Sequence, residues 1–124
     1  MFKFIIVILR YKNKDMGLTK SEIFTDEQNK LASLFKILAH PARVAILQHI
    51  IHQKACICND LVEELGLAQA TISQHLKELK NTGIIQGTIE GKSVCYCIDE
   101  NVWKKIQTDF NTFFNQEVKV NKCC

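Results

Sequence analysis

The 124-residue sequence predicts a mainly α-helical domain carrying one β-hairpin, and three observations predict it. Leu61 to Gly83 holds two short amphipathic runs parted by Gly66. From Ile85 to Ile98 the hydrophobic period changes from helical to alternating, with a turn at Glu90-Gly91-Lys92. A final run from Asp99 to Phe114 returns to helical spacing and carries a bulky aromatic stripe. Two short helices joined by a tight, glycine-bearing turn make a helix-turn-helix, and a two-stranded ribbon after the second helix is a wing. The expected fold class is therefore a winged helix-turn-helix, mainly α with a β-hairpin wing, and dimeric for a reason given below.

The chain opens with an apolar run, Phe4 to Leu9, that is far too short to span a membrane and has no small-residue cleavage site after it. Lys12, Asn13, Lys14, Gly17 and Lys20 follow, and Met16 offers an alternative start of translation. Residues 1–22 are expected to be a disordered extension, 23–116 the folded domain, and 117–124 a flexible tail ending in Cys123-Cys124. A charged fraction of 23%, an apolar fraction of 47% and a net charge of +3 describe a soluble, cytoplasmic, mildly basic protein with no membrane partner. That charge permits nucleic-acid binding without arguing for it.

Thr25 starts the first helix, and Gln28 three residues on completes a capping box. Leu31, Leu34, Phe35 and Leu38 then recur at helical spacing. His40-Pro41 breaks the run, and Pro41 suits the first position of a second helix, which turns Val44, Leu47, Ile50 and Ile51 inward. Arg43, near its start, is a candidate phosphate contact. His49 and His52 read as a solvated helix end. Asp60 with Glu63 reads as the next helix start. Leu61, Val62 and Leu65 form its apolar face, and Gly66 stops it.

Taking 100° per residue from Ile72, Leu76 and Leu79 fall within about 40° of it and mark the core face of the following helix. Ala70, Ser73, Gln74 and Lys77 fall roughly 100° to 200° away, with Thr71 on a flank and Gln69 one turn ahead. Such short, polar or basic side chains suit a helix entering the major groove. Alanine allows close approach, glutamine pairs bidentately with adenine, and lysine reaches guanine or phosphate. The plainer reading of this face is a solvated surface. His75 lies at the edge of the core face and reads as structural.

In the hairpin, Ile85, Gly87 and Ile89 alternate, then Val94, Tyr96 and Ile98; Gly91 supplies the turn, and Lys92 at the tip can reach phosphate. With Val94, Tyr96 and Ile98 facing the core, Cys95 and Cys97 are expected to share the outer face. Asp99 caps the last helix, where Trp103, Ile106, Phe110, Phe113 and Phe114 form the stripe. A domain of this size has little left to cover it, so the first and last helices are expected to pair across a two-fold axis as a homodimer.

The six cysteines come as Cys56/Cys58, Cys95/Cys97 and Cys123/Cys124. Partners two residues apart make poor disulfides with each other, and the helices can fold without staples, so thiols kept reduced and open to metal or oxidant are expected. Cys56 and Cys58 stand just before a helix N-terminus, whose partial positive charge favours thiolate.

In their order, Leu38-Ala39-His40-Pro41-Ala42-Arg43-Val44-Ala45-Ile46-Leu47, Cys56-Ile57-Cys58-Asn59-Asp60-Leu61, Gln69-Ala70-Thr71-Ile72-Ser73-Gln74-His75-Leu76 and Gly91-Lys92-Ser93-Val94-Cys95-Tyr96-Cys97-Ile98 resemble the ArsR/SmtB family of metal-responsive transcriptional repressors. The resemblance runs from about Thr25 to Phe114. It implies a homodimer that binds double-stranded operator DNA through Gln69, Ala70, Thr71, Ser73, Gln74, Lys77, Lys92 and Arg43, and releases it when a metal or metalloid binds. The Cys-X-Cys motif is similar to the arsenite-sensing branch, in which three thiolates close on As(III) in a trigonal pyramid. Cys56 and Cys58 carry over as ligands for As(III) or another thiophilic ion, Sb(III), Cd(II) or Pb(II). Val62 stands where that pattern has its third cysteine, which leaves Cys95, Cys97, Cys123 or Cys124 as the third ligand. Ala68 replaces a capping serine frequent in the family, at a cost of roughly 1 kcal/mol of helix stability. The histidine-rich zinc site of some relatives has only Asp109 here.

The alternative reading keeps the fold and the DNA and makes the protein a thiol redox sensor. A thiol enzyme is disfavoured: there is no Cys-X-X-Cys, no glycine-rich anion loop and no βαβ order behind the thiols.

Overall fold

The computed structural model describes residues 23–57, 60–90 and 93–119. Among the described residues five helices and one hairpin follow in the order α1 (Asp26–Leu38), α2 (Pro41–Gln53), α3 (Leu61–Leu65), α4 (Gln69–Asn81), β1 (Ile85–Glu90), β2 (Ser93–Ile98) and α5 (Glu100–Phe114). The architecture is the expected one, mainly helical with a two-stranded antiparallel wing. Cys58, Gly91, Lys92, Cys123, Cys124 and the amino-terminal extension lie outside the described residues.

Local chemistry sets most boundaries. Thr25 and Gln28 exchange side-chain-to-backbone bonds at 3.1 and 3.0 Å, the reciprocal capping box that opens α1. Pro41 takes the first turn of α2, and α1 and α2 meet at 84° across His40. His40 adds a cap that sequence reading did not assign, its Nδ1 accepting from the Ala42 N–H at 3.1 Å. Gly66 ends α3 at φ 63°, a left-handed conformation that L side chains resist. Asp99 Oδ1 accepts from the backbone N–H groups of Asn101 and Val102 at the head of α5.

The core gathers Leu34 and Ile37 from α1, Ile46, Leu47 and Ile50 from α2, Leu61 from α3, Ile72, Leu76 and Leu79 from α4, Ile84 and Ile85 at the wing, and Ile106 from α5. Two expectations change here. Val44 and Ile51 are exposed, because α2 turns Ile46, Leu47 and Ile50 inward and those two ride on its other side. Asp60 precedes α3 without a side-chain capping bond, because its carboxylate is taken by His49.

The wing differs most from its expected face assignment. β1 and β2 pair from Ile85↔Ile98 to Glu90↔Ser93, as the alternation predicts. Ile57 also pairs with Tyr96 on the other edge of β2: its N–H donates to the Tyr96 carbonyl at 2.9 Å and its carbonyl accepts at 2.8 Å. An isolated bridge therefore ties the segment ahead of α3 to the two-stranded wing. Tyr96 and Ile98 pack on the core as expected, whereas Val94 is exposed and Cys95 is wholly buried, at 0% exposure, instead of lying on an outer face. Cys97 is half-buried. No single helix among the described residues is long and apolar enough to cross a membrane.

Candidate nucleic-acid interface and thiol site

α4 presents the polar face that its sequence predicts. Ile72, His75, Leu76 and Leu79 are buried, while Gln69, Ala70, Thr71, Ser73, Gln74 and Lys77 are all exposed. Two contacts one turn apart lay side chains along the helix: Gln69 Nε2 donates to Ser73 Oγ, and Gln74 Nε2 to Glu78 Oε1, both at 3.3 Å. Ala68 precedes the helix without a side-chain cap, as its methyl group requires.

Arg43 is not free at the surface. Its Nη1 donates to the Ile37 carbonyl at 3.0 Å and its Nε to His75 Nδ1 at 3.4 Å. It fastens the end of α1 and the start of α2 to the inner side of α4, so the chain's candidate phosphate contact is half-buried in a polar joint. His40 completes that joint, its ring centroid 4.2 Å from that of His75. Burial, then the charges of His40 and Arg43, hold the His75 pKa below its ordinary value, against a weaker upward pull from Glu78. With Arg43 donating to Nδ1, the neutral ring carries its proton on Nε2.

His49 is also structural. Its Nε2 lies 2.7 Å from Asp60 Oδ2 and its side chain is largely covered, which ties α2 to the head of α3. It is not the solvated helix end that composition suggested; only the exposed His52 fits that description. At the opposite side of the domain Asp109 lies 3.0 Å from both Lys30 and Lys105, in a cleft of about 300 Å³ between α1 and α5. Burial alone would raise its pKa, but the bonds from the two lysines outweigh burial and lower it.

The thiols are brought together in a way the sequence left open. Cys56 and Cys97 are joined as a disulfide with their Cα atoms 4.4 Å apart, although 41 positions separate them in the chain. Cys95 is disulfide-bonded as well. The expectation of reduced thiols assumed that each pair could bond only within itself. The Ile57–Tyr96 pairing removes that assumption, because it sets the strand positions beside them, 56 and 97, side by side. A cleft of about 400 Å³ opens at this point, lined by Ile50, Ile51, Lys54, Ala55, Ile98 and Glu100 beside the two cysteines. Among the described residues no group of three or more His, Cys, Asp or Glu side chains is placed to hold a metal. Two neighbouring sulfurs nonetheless suit a soft ion once reduced, and a further thiolate would have to join them. Two Cys-X-Cys motifs of equal spacing, both in β-compatible sequence, were the available signal for this pairing.

Residues 40–86 match the family described as "Bacterial regulatory protein, arsR family". The chain is 38% identical over 63 residues to the HTH-type transcriptional repressor SmtB of Mycobacterium tuberculosis, which is 51% of this chain and 46% of that protein. It is 31% identical over 80 residues to the cadmium resistance transcriptional regulatory protein CadC of Listeria innocua, covering 64% and 66% of the two chains. The crystal structure of Rv0081 from M. tuberculosis superposes with a TM-score of 0.54 at 28% identity, over 68% of this chain and 86% of that one. The chain thus spans less than two thirds of the length of these curated relatives, and about half that of SmtB.

Proposed function

Since the chain belongs to the arsR family of bacterial regulatory proteins, we propose that it is a cytoplasmic, homodimeric transcriptional repressor and not an enzyme. It grips double-stranded operator DNA and lets go when a thiophilic ion, As(III) above all, binds the thiolates of Cys56 and Cys58. The observation that carries the DNA reading is the division of α4 into a buried apolar face and an exposed face of Gln69, Ala70, Thr71, Ser73, Gln74 and Lys77. Lys92 reaches phosphate from the wing, and Arg43 acts by holding α4 in place. Sb(III), Cd(II) and Pb(II) share the soft chemistry of As(III), and CadC is by name a cadmium-resistance regulator.

The Cys56–Cys97 disulfide is first opened to two thiols by a thiol or phosphine reductant, which is itself oxidised; from the reduced thiols no further redox step is needed for release. Each As–S bond forms as one hydroxyl of arsenous acid leaves as water with the thiol proton. The coupling between ligand and DNA needs only about 1 to 3 kcal/mol, the usual range for two linked sites.

The test is a Cys56→Ser, Cys58→Ser double variant in fluorescence anisotropy with a promoter fragment. It should bind operator as the parent does and ignore arsenite; a normal arsenite response defeats the metalloid reading. Gln74→Ala should cost about 1 to 3 kcal/mol of operator affinity without moving the melting temperature.

A second reading is favoured by the Cys56–Cys97 disulfide. In it, a hydroperoxide oxidises one thiol to a sulfenic acid and is itself reduced to alcohol or water. The second thiol then displaces water to close the disulfide. Loss of operator binding at low peroxide, with no effect of arsenite on the reduced protein, would select it.

A further inference from the structure

Resting on the thiol-sensing reading above, we propose that Cys97 of β2 is a ligand of the inducer site. The site is then strung between the end of α2 and the wing, and is not confined to the approach to the helix-turn-helix. Its ligand class is a trivalent arsenical or other soft ion that takes two or more thiolates.

Three independent observations support this. The Cys56 and Cys97 sulfurs are already within bonding reach, from two segments that both Ile57–Tyr96 backbone hydrogen bonds also pair. Neither backbone bond involves sulfur, so reduction of the disulfide does not of itself remove them. Next, the pair stands at a cleft of about 400 Å³ and Cys56 is exposed, so a molecule as small as arsenous acid has both an entrance and room. Lys54 lines the same cleft.

The third observation concerns where the signal goes. β2 is hydrogen-bonded to β1 along its length, and β1 begins just after Gly83, the left-handed residue that follows α4. The Asp99 N–H donates to the Ile84 carbonyl at 2.9 Å, which binds the far end of β2 to the same junction. A ligand pulling on Cys97 thus acts on the strand that sets the angle between wing and recognition helix, both of which a winged domain lays on DNA.

The chemistry balances. A phosphine reductant takes up one oxygen from water and returns the disulfide to two thiols. Arsenous acid then forms As–S bonds to Cys56 and Cys97, releasing one water per bond, and keeps its last hydroxyl or exchanges it in the same way for the Cys58 thiolate.

The experiment uses the full-length protein reduced with a phosphine. Arsenite is titrated against the operator complex of the parent, of Cys97→Ser, and of a Cys123→Ser, Cys124→Ser double variant. Cys97→Ser should bind operator within about twofold of the parent and need at least about tenfold more arsenite for release; the tail variant should respond as the parent does. In parallel, arsenite should protect Cys97 of the unmutated protein from iodoacetamide, read by fragment-ion mass spectrometry that resolves it from Cys95. This arm stands even if Cys97→Ser folds poorly. A full response in Cys97→Ser, loss of response in the tail variant, or an unprotected Cys97 overturns the proposal. Failure of the reading beneath it has a different signature: a parent that binds no operator, or a Cys56→Ser, Cys58→Ser variant with a normal response.

Discussion

His75 occupies the inward side of the recognition helix at 8% exposure, with Arg43 on one ring nitrogen and His40 beside it. Its pKa lies below the ordinary 6.5, chiefly through burial. The unfolded chain therefore takes up this proton at a higher pH than the folded one does, and binds more protons across the interval between the two values. Stability from this group is complete above pH 6.5 and falls as the pH drops below it. Urea midpoints measured from about pH 7 down to about pH 5 should decline, and His75→Gln, which keeps a hydrogen-bond acceptor without titrating there, should flatten that decline. The structural role of His75 was legible in the sequence, because its helical angle puts it beside Leu76 and Leu79. The inward turn of Arg43 was not, since its partners lie on a different helix and the spacing of residues near it carries no sign of them. His49 was misread for the same reason: only the folded chain brings Asp60 to it.

At the scale of elements, the helix ends were the most readable feature, because capping is decided by three or four consecutive residues. Asp99 illustrates it, with one carboxylate oxygen accepting two backbone N–H groups and the other held by the Gln86 amide. Asp99→Ala should cost about 1 kcal/mol in urea denaturation, with the loss concentrated in α5 by hydrogen exchange. The strands were half legible. Period-two alternation located β1 and β2 and sorted Tyr96 and Ile98 from Cys95 and Cys97, since those pairs must point opposite ways. What the second face meets was hidden, because Ile57, far upstream, pairs with β2 at Tyr96 and the folded chain buries Cys95. The thiol site was misjudged for that one reason. Cys56 and Cys58 were singled out as chemistry-bearing positions, and the sulfur that joins Cys56 in the folded chain depends on a non-local pairing.

At the scale of the molecule, α1 and α5 close against each other through Phe35, which stacks on Phe110 at 4.8 Å and meets the edges of Phe113 and Phe114 at 5.8 and 5.9 Å. The stripe is only partly covered: Phe113 and Phe114 remain 44% and 66% exposed, with Ile23 and Phe24 exposed as well. Contiguous exposed aromatics of this kind mark an association surface, and a second copy across a two-fold axis would set two α4 helices about one DNA turn apart. A Phe113→Glu, Phe114→Glu variant should sediment as a monomer with its far-UV circular dichroism intact, and its operator affinity should drop at least about tenfold. The short pairing of Ile57 with Tyr96 bears on this assembly from another direction. Bare β-ribbons invite foreign strands to add themselves sideways, the first step towards fibrils. Here the peptide groups of Tyr96 that such a newcomer would need are already spoken for by the chain itself, which blunts β2 at that point as a template for a foreign strand.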